Sequence, residues 1–344
     1  MRLGWMDRWS IGLMRARRGP PTSNSTDMSH DPRLFQEPLR ALKDCHSAAQ
    51  QQLHACGLRR YGSGAPAPEI WHPTSWDHQP QHLLSMNQSA KSREDFLRTT
   101  ALLRVKVGEE QFDFRFPDNI YMRNVLAGIF QGQEYSLVNL PGYSPTKIVD
   151  IGANVGATAF YFHHSYPEAE IWCYEPCQEN FWCLEENIRT MGPNIHVFPY
   201  GLLDRDCELP IYYGTSQCGQ NSLVHTVETA PQSTETVRLV KAGREAAERR
   251  WEHLSIVKMD TEGCEVPILS ELLTAVPKID LLYCEYHSED DRRAINALTE
   301  SRFVLASANA GKPHQGTCVY WSREILQRYP SFDSIKKSMP RSRQ

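Results

Sequence analysis

The stretch Lys147-Ile-Val-Asp-Ile-Gly-Ala-Asn-Val-Gly156 decides the fold. Lys147 to Asp150 read as the end of a buried strand, and the glycines at 152 and 156 let the backbone turn sharply before a helix that begins near Ala157. Strand, glycine loop and helix in that order form a nucleotide cradle. Gly152 leaves room for a ligand against the main chain, the helix start offers free N–H groups, and Asp150 puts a carboxylate at the strand's carboxyl edge. A ligand bearing positive charge or hydroxyls is expected beside that carboxylate.

Dinucleotide sites also place glycines after a first strand, spaced G-x-G-x-x-G. Here Asn154 stands where the second glycine would approach a pyrophosphate, so the loop suits a ligand without a diphosphate. S-adenosylmethionine fits, with its amino group and sulfonium near Asp150 and its ribose needing an acid from the next strand. Glu170-Ile-Trp-Cys-Tyr-Glu175 reads as that strand, and Glu175 falls 23 residues after Gly152, close to the offset of about 20 expected for a ribose-binding carboxylate.

Further along, Ser255-Ile-Val-Lys-Met-Asp260 reads as a fourth buried strand that emerges into Thr261-Glu-Gly-Cys-Glu265, and Ile279-Asp-Leu-Leu-Tyr-Cys-Glu285 as a fifth that ends near His287. Open parallel sheets bind ligands at such carboxyl ends. Lys258 inside an apolar run needs a partner, for which Asp260, Glu262 and Glu285 are the candidates. Asp260 and Glu262 read as hydrogen-bond acceptors rather than as ligands of a divalent ion, so no metal is expected. His287 is the side chain there whose ordinary pKa lies nearest neutrality, which suits a general base.

Taken as an ordered set, Val149-Asp-Ile-Gly-Ala-Asn-Val-Gly156, Tyr174-Glu-Pro176 with Glu179-Asn180, Ser222-Leu223, Ile256-Val-Lys-Met-Asp-Thr-Glu-Gly-Cys-Glu265 and Cys284-Glu-Tyr-His287 resemble the FkbM-type S-adenosylmethionine-dependent methyltransferases over roughly residues 100–325. The resemblance implies an α/β class I methyltransferase fold, Rossmann-like, in which a mostly parallel seven-stranded sheet carries helices on both faces and ends in an antiparallel hairpin. It implies S-adenosyl-L-methionine as cofactor, held by Asp150, Gly152, Asn154, Gly156 and Glu175, with Gly201 and Leu202 either lining the adenine pocket or forming a plain turn. Asp260, Glu262 and His287 would orient and deprotonate the acceptor, and Ser222-Leu223 would lie near the mouth of the site. The family often carries a Leu-Asp pair before the fourth strand; residues 238–253 contain no Asp, so that role is not carried over. The expected reaction is O-methylation of a hydroxyl on a small molecule or glycan. A nicotinamide-dependent oxidoreductase and a non-catalytic binding module on the same fold are the alternatives.

Composition bounds the partners. A net charge of −4 over 344 residues supplies no basic field, which disfavours a nucleic-acid acceptor, and no run approaches the 18 apolar residues of a membrane-spanning helix. Of the ten cysteines, Cys173, Cys177, Cys183, Cys264 and Cys284 fall inside expected strands and helices rather than in C-x-x-C pairs. They read as small hydrophobes in a reducing, cytoplasmic compartment. Nothing in the sequence speaks to the oligomeric state.

Four regions are expected. Residues 1–30 are Arg-rich and too polar to bury a core, and Met28 is a second candidate start. Residues 31–100 form a helix-and-loop extension: Phe35, Leu39, Leu42, Ala49 and Leu53 mark a helix over 33–55, and Pro73 and Pro80 break any regular face on which His72, Asp77, His78 and His82 could hold a metal. The methyltransferase domain covers 101–330, and a basic tail 331–344 is frayed. Within the domain, 102–116 reads as a hairpin about Gly108, 122–130 as a helix, and Tyr143 as either a turn residue or a lid over the cofactor. Helix 157–166 ends in the solvated His163 and His164, 207–237 is an excursion with a strand at Cys207–Tyr213, and Ala242–Arg250 is a charged surface helix. Phe303–Ser307 and Thr317–Trp321 pair as the terminal hairpin.

Overall fold

The computed structural model describes residues 92–329 except 108–109, 138–141, 213–233 and 313. The expected helix over 33–55, the loop carrying His72 to His82, the Ser222-Leu223 pair and the tail lie outside the described residues. The chain enters with α1 (Arg93–Arg98) and then the expected hairpin, β1 (Ala101–Val107) antiparallel to β2 (Glu110–Phe116). Alternation sets its faces: Leu103, Val105, Phe114 and Phe116 are buried, while Arg104 and Asp113 pair on the outside at 3.1 Å. Helix α2 (Ile120–Phe130) follows, capped by Asn119, whose side chain accepts the Met122 N–H.

The alternation of strands and helices then begins. In order come β3 (Lys147–Ile151), α3 (Ala157–Ser165), β4 (Glu170–Tyr174), α4 (Gln178–Ile188), β5 (Ile195–Phe198), β6 (Gly201–Leu203), β7 (Cys207–Tyr212) and β8 (Thr234–Lys241). They are followed by α5 (Ala242–Glu248), β9 (His253–Met259), α6 (Glu265–Ala275), β10 (Lys278–Tyr286), α7 (Glu289–Thr299), β11 (Phe303–Lys312), β12 (Gln315–Ser322) and α8 (Arg323–Arg328).

The main sheet has the order β11-β12-β10-β9-β3-β4-β5, parallel from β10 to β5, with β12 antiparallel to both of its neighbours. This is the expected mostly parallel seven-stranded sheet ending in an antiparallel hairpin. Its central strands read as continuous apolar runs because both faces are covered. Ile148, Ile171, Ile256 and Leu281 pack on one side with α2, α3, α4 and α8, whereas Val149, Trp172, Val257 and Leu282 pack on the other with α5, α6 and α7. Strand order reverses between β3 and β9, and a crevice opens there at the carboxyl ends. Asn187 of α4 ties the entering hairpin to this point: its amide exchanges hydrogen bonds with the Arg115 backbone (2.6 and 2.7 Å) and donates to the Val155 carbonyl at 2.8 Å.

Three expectations are corrected. The excursion over 207–237 includes the start of β8, and a separate sheet β6-β8-β7 forms over the face of α5 and α6, driven by the alternation that buries Val237 and Leu239. Helix α5 is not a purely surface element: Ala242, Glu245 and Ala246 are buried, and the Glu245 carboxylate accepts from Tyr174, Tyr200 and Arg249. His163 and His164 are half-buried rather than solvated, with the His164 ring 4.2 Å from that of Phe160.

Candidate active site

The loop after β3 is clamped from both sides. Gly152 and Ala153 N–H both donate to the Tyr174 carbonyl (3.0 and 2.9 Å), and Asp260 N–H donates to that of Ile151 (3.1 Å). Gly152 has φ 76°, and a Cβ there would run into the Asp260 carbonyl oxygen; Gly156 has φ 87°, and its Cβ would lie 2.7 Å from Leu184 of α4. Both positions therefore require glycine. Asn154 also lies in the left-handed region, φ 51°, which asparagine tolerates better than most residues. Its N–H donates to Glu175 Oε2 at 2.8 Å, and Cys177 N–H donates to Glu175 Oε1 at 2.9 Å. Burial raises the Glu175 pKa, and those backbone donors pull against it. Glu175 thus organises the loop while lining the cavity it encloses.

Asp150 is placed differently from expectation. It is fully buried beneath the loop, and its partner is Lys258, the residue opposite it in the β3–β9 register, at 3.1 Å. Lys258 Nζ also donates to the Gly152 carbonyl at 2.6 Å. The sequence reading sought the Lys258 partner among Asp260, Glu262 and Glu285, because it could not see that parallel pairing puts 150 beside 258. Burial would lower the Lys258 pKa, but the Asp150 and Asp260 carboxylates outweigh it and raise it. Asp150 therefore lies off the cavity wall and reaches the loop through Lys258. Tyr143 is also displaced from the site: its hydroxyl donates to the Ser255 carbonyl and to Asp280, at the opposite end of the strands.

A cavity of about 410 Å³ occupies the crevice, inside the range of about 300–1,000 Å³ typical of small-molecule sites. One end is apolar, formed by Gly201, Leu202, Ile211 and Leu239. The loop residues Gly152 and Asn154 and the carboxylate of Glu175 form its middle. The other end is acidic: Asp260, Glu262 and Glu285 from the strand ends, with Glu134, Tyr121 and Tyr135 above them and Asn309 and Gln315 from the last hairpin. Gly156 lies behind the wall, packed on α4. Among the described residues, Asn154 Oδ1, Asn180 Oδ1 and Thr261 Oγ1 are buried without a hydrogen-bond partner, and all three residues line the cavity. Unsatisfied polar atoms on a cavity wall are what a bound polar ligand would complete. The residues of α2, the Glu134-Tyr135 pair and the hairpin escaped the sequence reading; they carry no motif and reach the cavity only through tertiary packing.

The acidic end is a coupled system. Tyr135 donates to Asp260 Oδ2 at 3.4 Å. Burial, and then the neighbouring Asp260, push Glu285 up to about 10, while Lys258 and a hydrogen bond from Glu285 hold Asp260 below its ordinary value despite burial. The two carboxyls titrate together and share a proton. His287 Nε2 lies 3.0 Å from Glu262 and 3.8 Å from Glu285, and Nδ1 lies 3.4 Å from Glu265. Burial would lower the imidazole pKa, yet Glu262 and Glu265 push it up to about 12. An imidazole held in its protonated form is a poor acceptor for an alcohol's proton, so the carboxylates around His287 speak against the general-base role expected of it. Glu265, fully buried, is fixed by N–H groups of Thr261 (2.8 Å) and Gly263 (3.0 Å). Burial, reinforced by Asp260, lifts Glu134 to about 7.

Residues 150–310 match the methyltransferase FkbM domain. Methyltransferase sdnD of Sordaria araneosa is 32% identical over 136 residues, which is 39% of this chain and 50% of that protein, so the chain spans about half the length of this curated relative. The crystal structure of methyltransferase FkbM from Methylobacillus flagellatus KT matches 59% of this chain and 55% of its own at 16% identity, with a TM-score of 0.39. Aeropyrum pernix fibrillarin, solved with natively bound S-adenosyl-L-methionine, matches 64% of this chain and 94% of its own at 14% identity and a TM-score of 0.38. The matched segment begins at Asp150 under the glycine loop, passes through Glu175, Asp260 and His287, and ends in the last hairpin, so that just under half of this chain is similar to the FkbM methyltransferase domain.

Proposed function

We propose that the chain is an S-adenosylmethionine-dependent methyltransferase acting on a hydroxyl of a small molecule or glycan. The observation that carries this reading is a single cavity at the sheet's switch point in which the glycine loop, Glu175 and the strand-end carboxylates face one another. Gly201, Leu202 and Leu239 suit an adenine ring, and Glu175 the ribose hydroxyls. Asn154 Oδ1 and Thr261 Oγ1 are open to the cofactor's polar groups. Asp150 supports the loop through Lys258. When bound, S-adenosylmethionine supplies an electrophilic methyl carbon on a sulfonium sulfur.

The acceptor would enter over the acidic end. Asp260 and Glu262 can receive its hydroxyl hydrogen bond, and Tyr121 and Tyr135 cover that end against water. We assign the acceptor's proton to Glu134, a carboxylate on the cavity wall that is not engaged in the His287 cluster. His287 orients Glu262 and Glu265 rather than accepting a proton. No helix among the described residues is long and apolar enough to cross a membrane, and the described cysteines are unbridged, which supports a reducing, cytoplasmic setting as part of the proposal.

The test is calorimetric binding of S-adenosylmethionine, followed by detection of S-adenosylhomocysteine with a panel of hydroxylated acceptors. Binding of the cofactor with no binding of a nicotinamide dinucleotide is expected. The opposite preference would return the site to the oxidoreductase reading, and cofactor binding without product across sugars, polyketides and lipids would favour a binding module.

A further inference from the structure

Behind the acidic wall of the cavity, ligand atoms of Asp260, Glu265 and His287 all lie within 4.8 Å of one another. Glu262 Oε2 stands 3.0 Å and Glu285 Oε1 3.8 Å from His287 Nε2. Both ring nitrogens of His287 are shut off from solvent, yet neither makes an aligned hydrogen bond among the described residues. The charges do not balance internally. Even with Glu285 holding its proton, Asp260, Glu262 and Glu265 face a single imidazole, and the nearby ammonium of Lys258 is committed to Asp150 and the Gly152 carbonyl. Burying that much like charge is costly unless a cation joins it.

We propose that Asp260, Glu265 and His287 bind a divalent cation of the Mn²⁺ and Mg²⁺ class, the ion displacing the imidazole proton to solvent, with Glu262 and Glu285 on its rim. The donor set is oxygen-rich with one imidazole, which suits a hard or borderline ion better than a thiophilic one. Glu265 is a rigid ligand, since the Thr261 and Gly263 N–H groups fix its carboxylate. Asp260 belongs both to this group and to the cavity wall, so an ion held here would lie next to the space where the acceptor enters. There it would hold the acceptor hydroxyl and ease the loss of its proton to Glu134. That catalytic part rests on the methyltransferase reading; the binding of the ion does not.

The experiment uses the full chain, stripped with a chelator and dialysed, titrated with MnCl₂ alone and followed by calorimetry and by the electron paramagnetic resonance signal of free Mn²⁺. One ion bound per chain is expected, with affinity at least about tenfold weaker in Asp260→Asn and in His287→Gln. Circular dichroism melts of both variants establish that they are folded, and S-adenosylmethionine is titrated into each sample in parallel. No Mn²⁺ binding at millimolar concentration by the parent, or binding unchanged in both folded variants, would overturn the proposal. Cofactor binding without the ion would reject the ion and leave the methyltransferase reading standing; ion binding without the cofactor would do the reverse.

Discussion

Lys258→Met is the most informative single change, because it separates the buried support of the glycine loop from the loop itself. Asp150 is fully buried, its ion-pair partner is Lys258 at 3.1 Å, and Lys258 also holds the Gly152 carbonyl. Removing one member of a buried pair strands the other charge at a cost of about 3–5 kcal/mol. For a folded region of this size each kcal/mol moves Tm by roughly 2–4 °C, so a drop of about 6–20 °C is expected by differential scanning calorimetry. The double variant Asp150→Leu/Lys258→Met removes both charges and should regain much of that loss, since apolar replacements of a buried pair are often neutral. The pH dependence has a definite sign. Burial already holds the Asp150 carboxyl above its ordinary value, and without Lys258 the offsetting attraction is gone. A carboxyl raised in the folded state costs nothing below its unfolded pKa of about 3.9 and costs more as pH rises through that value. The gap between variant and parent should therefore narrow on acidification from neutral pH. A single variant within about 1 kcal/mol of the parent, or a double variant no better than the single, would refute the argument that this pair is a stranded-charge problem.

Other outcomes follow from the same geometry. Glu175→Ala should weaken S-adenosylmethionine binding by about 1–3 kcal/mol in calorimetry, through lost ribose contacts and release of the Asn154 and Cys177 N–H groups; unchanged affinity would remove Glu175 from the site. Gly152→Ala should lower Tm and abolish cofactor binding together, because the new Cβ meets the Asp260 carbonyl at a φ that already costs about 1–3 kcal/mol for a non-glycine residue. Once an acceptor is known, Glu134→Gln should reduce turnover by roughly 10²–10⁴ with cofactor affinity unchanged, whereas equal turnover would deny it the proton. Asn187→Ala should destabilise the entering hairpin by about 1–3 kcal/mol, read as earlier hydrogen exchange in β1 and β2, since it leaves the Arg115 and Val155 backbone groups without their partner.

The order of the main sheet's strands and helices, the two essential glycines, Glu175 at the end of β4 and the carboxylates after β9 and β10 could all be read from the sequence. Each is a local matter: apolar runs report strands covered on both faces, and a glycine flanked by a strand and a helix reports a left-handed turn. Tertiary structure decided what lay between elements. The β3–β9 register, which no spacing encodes, gave Lys258 to Asp150 and withdrew Asp150 from the cavity wall, where Lys258 remains. Convergence of Glu262, Glu265 and Glu285 on His287 turned a free base into a protonated member of a cluster, because a pKa depends on neighbours brought from distant elements. Likewise Glu134, Tyr135 and Gln315 line the cavity only because α2 and the last hairpin fold over the switch point, a contact set by packing of the whole sheet rather than by anything in their own segments.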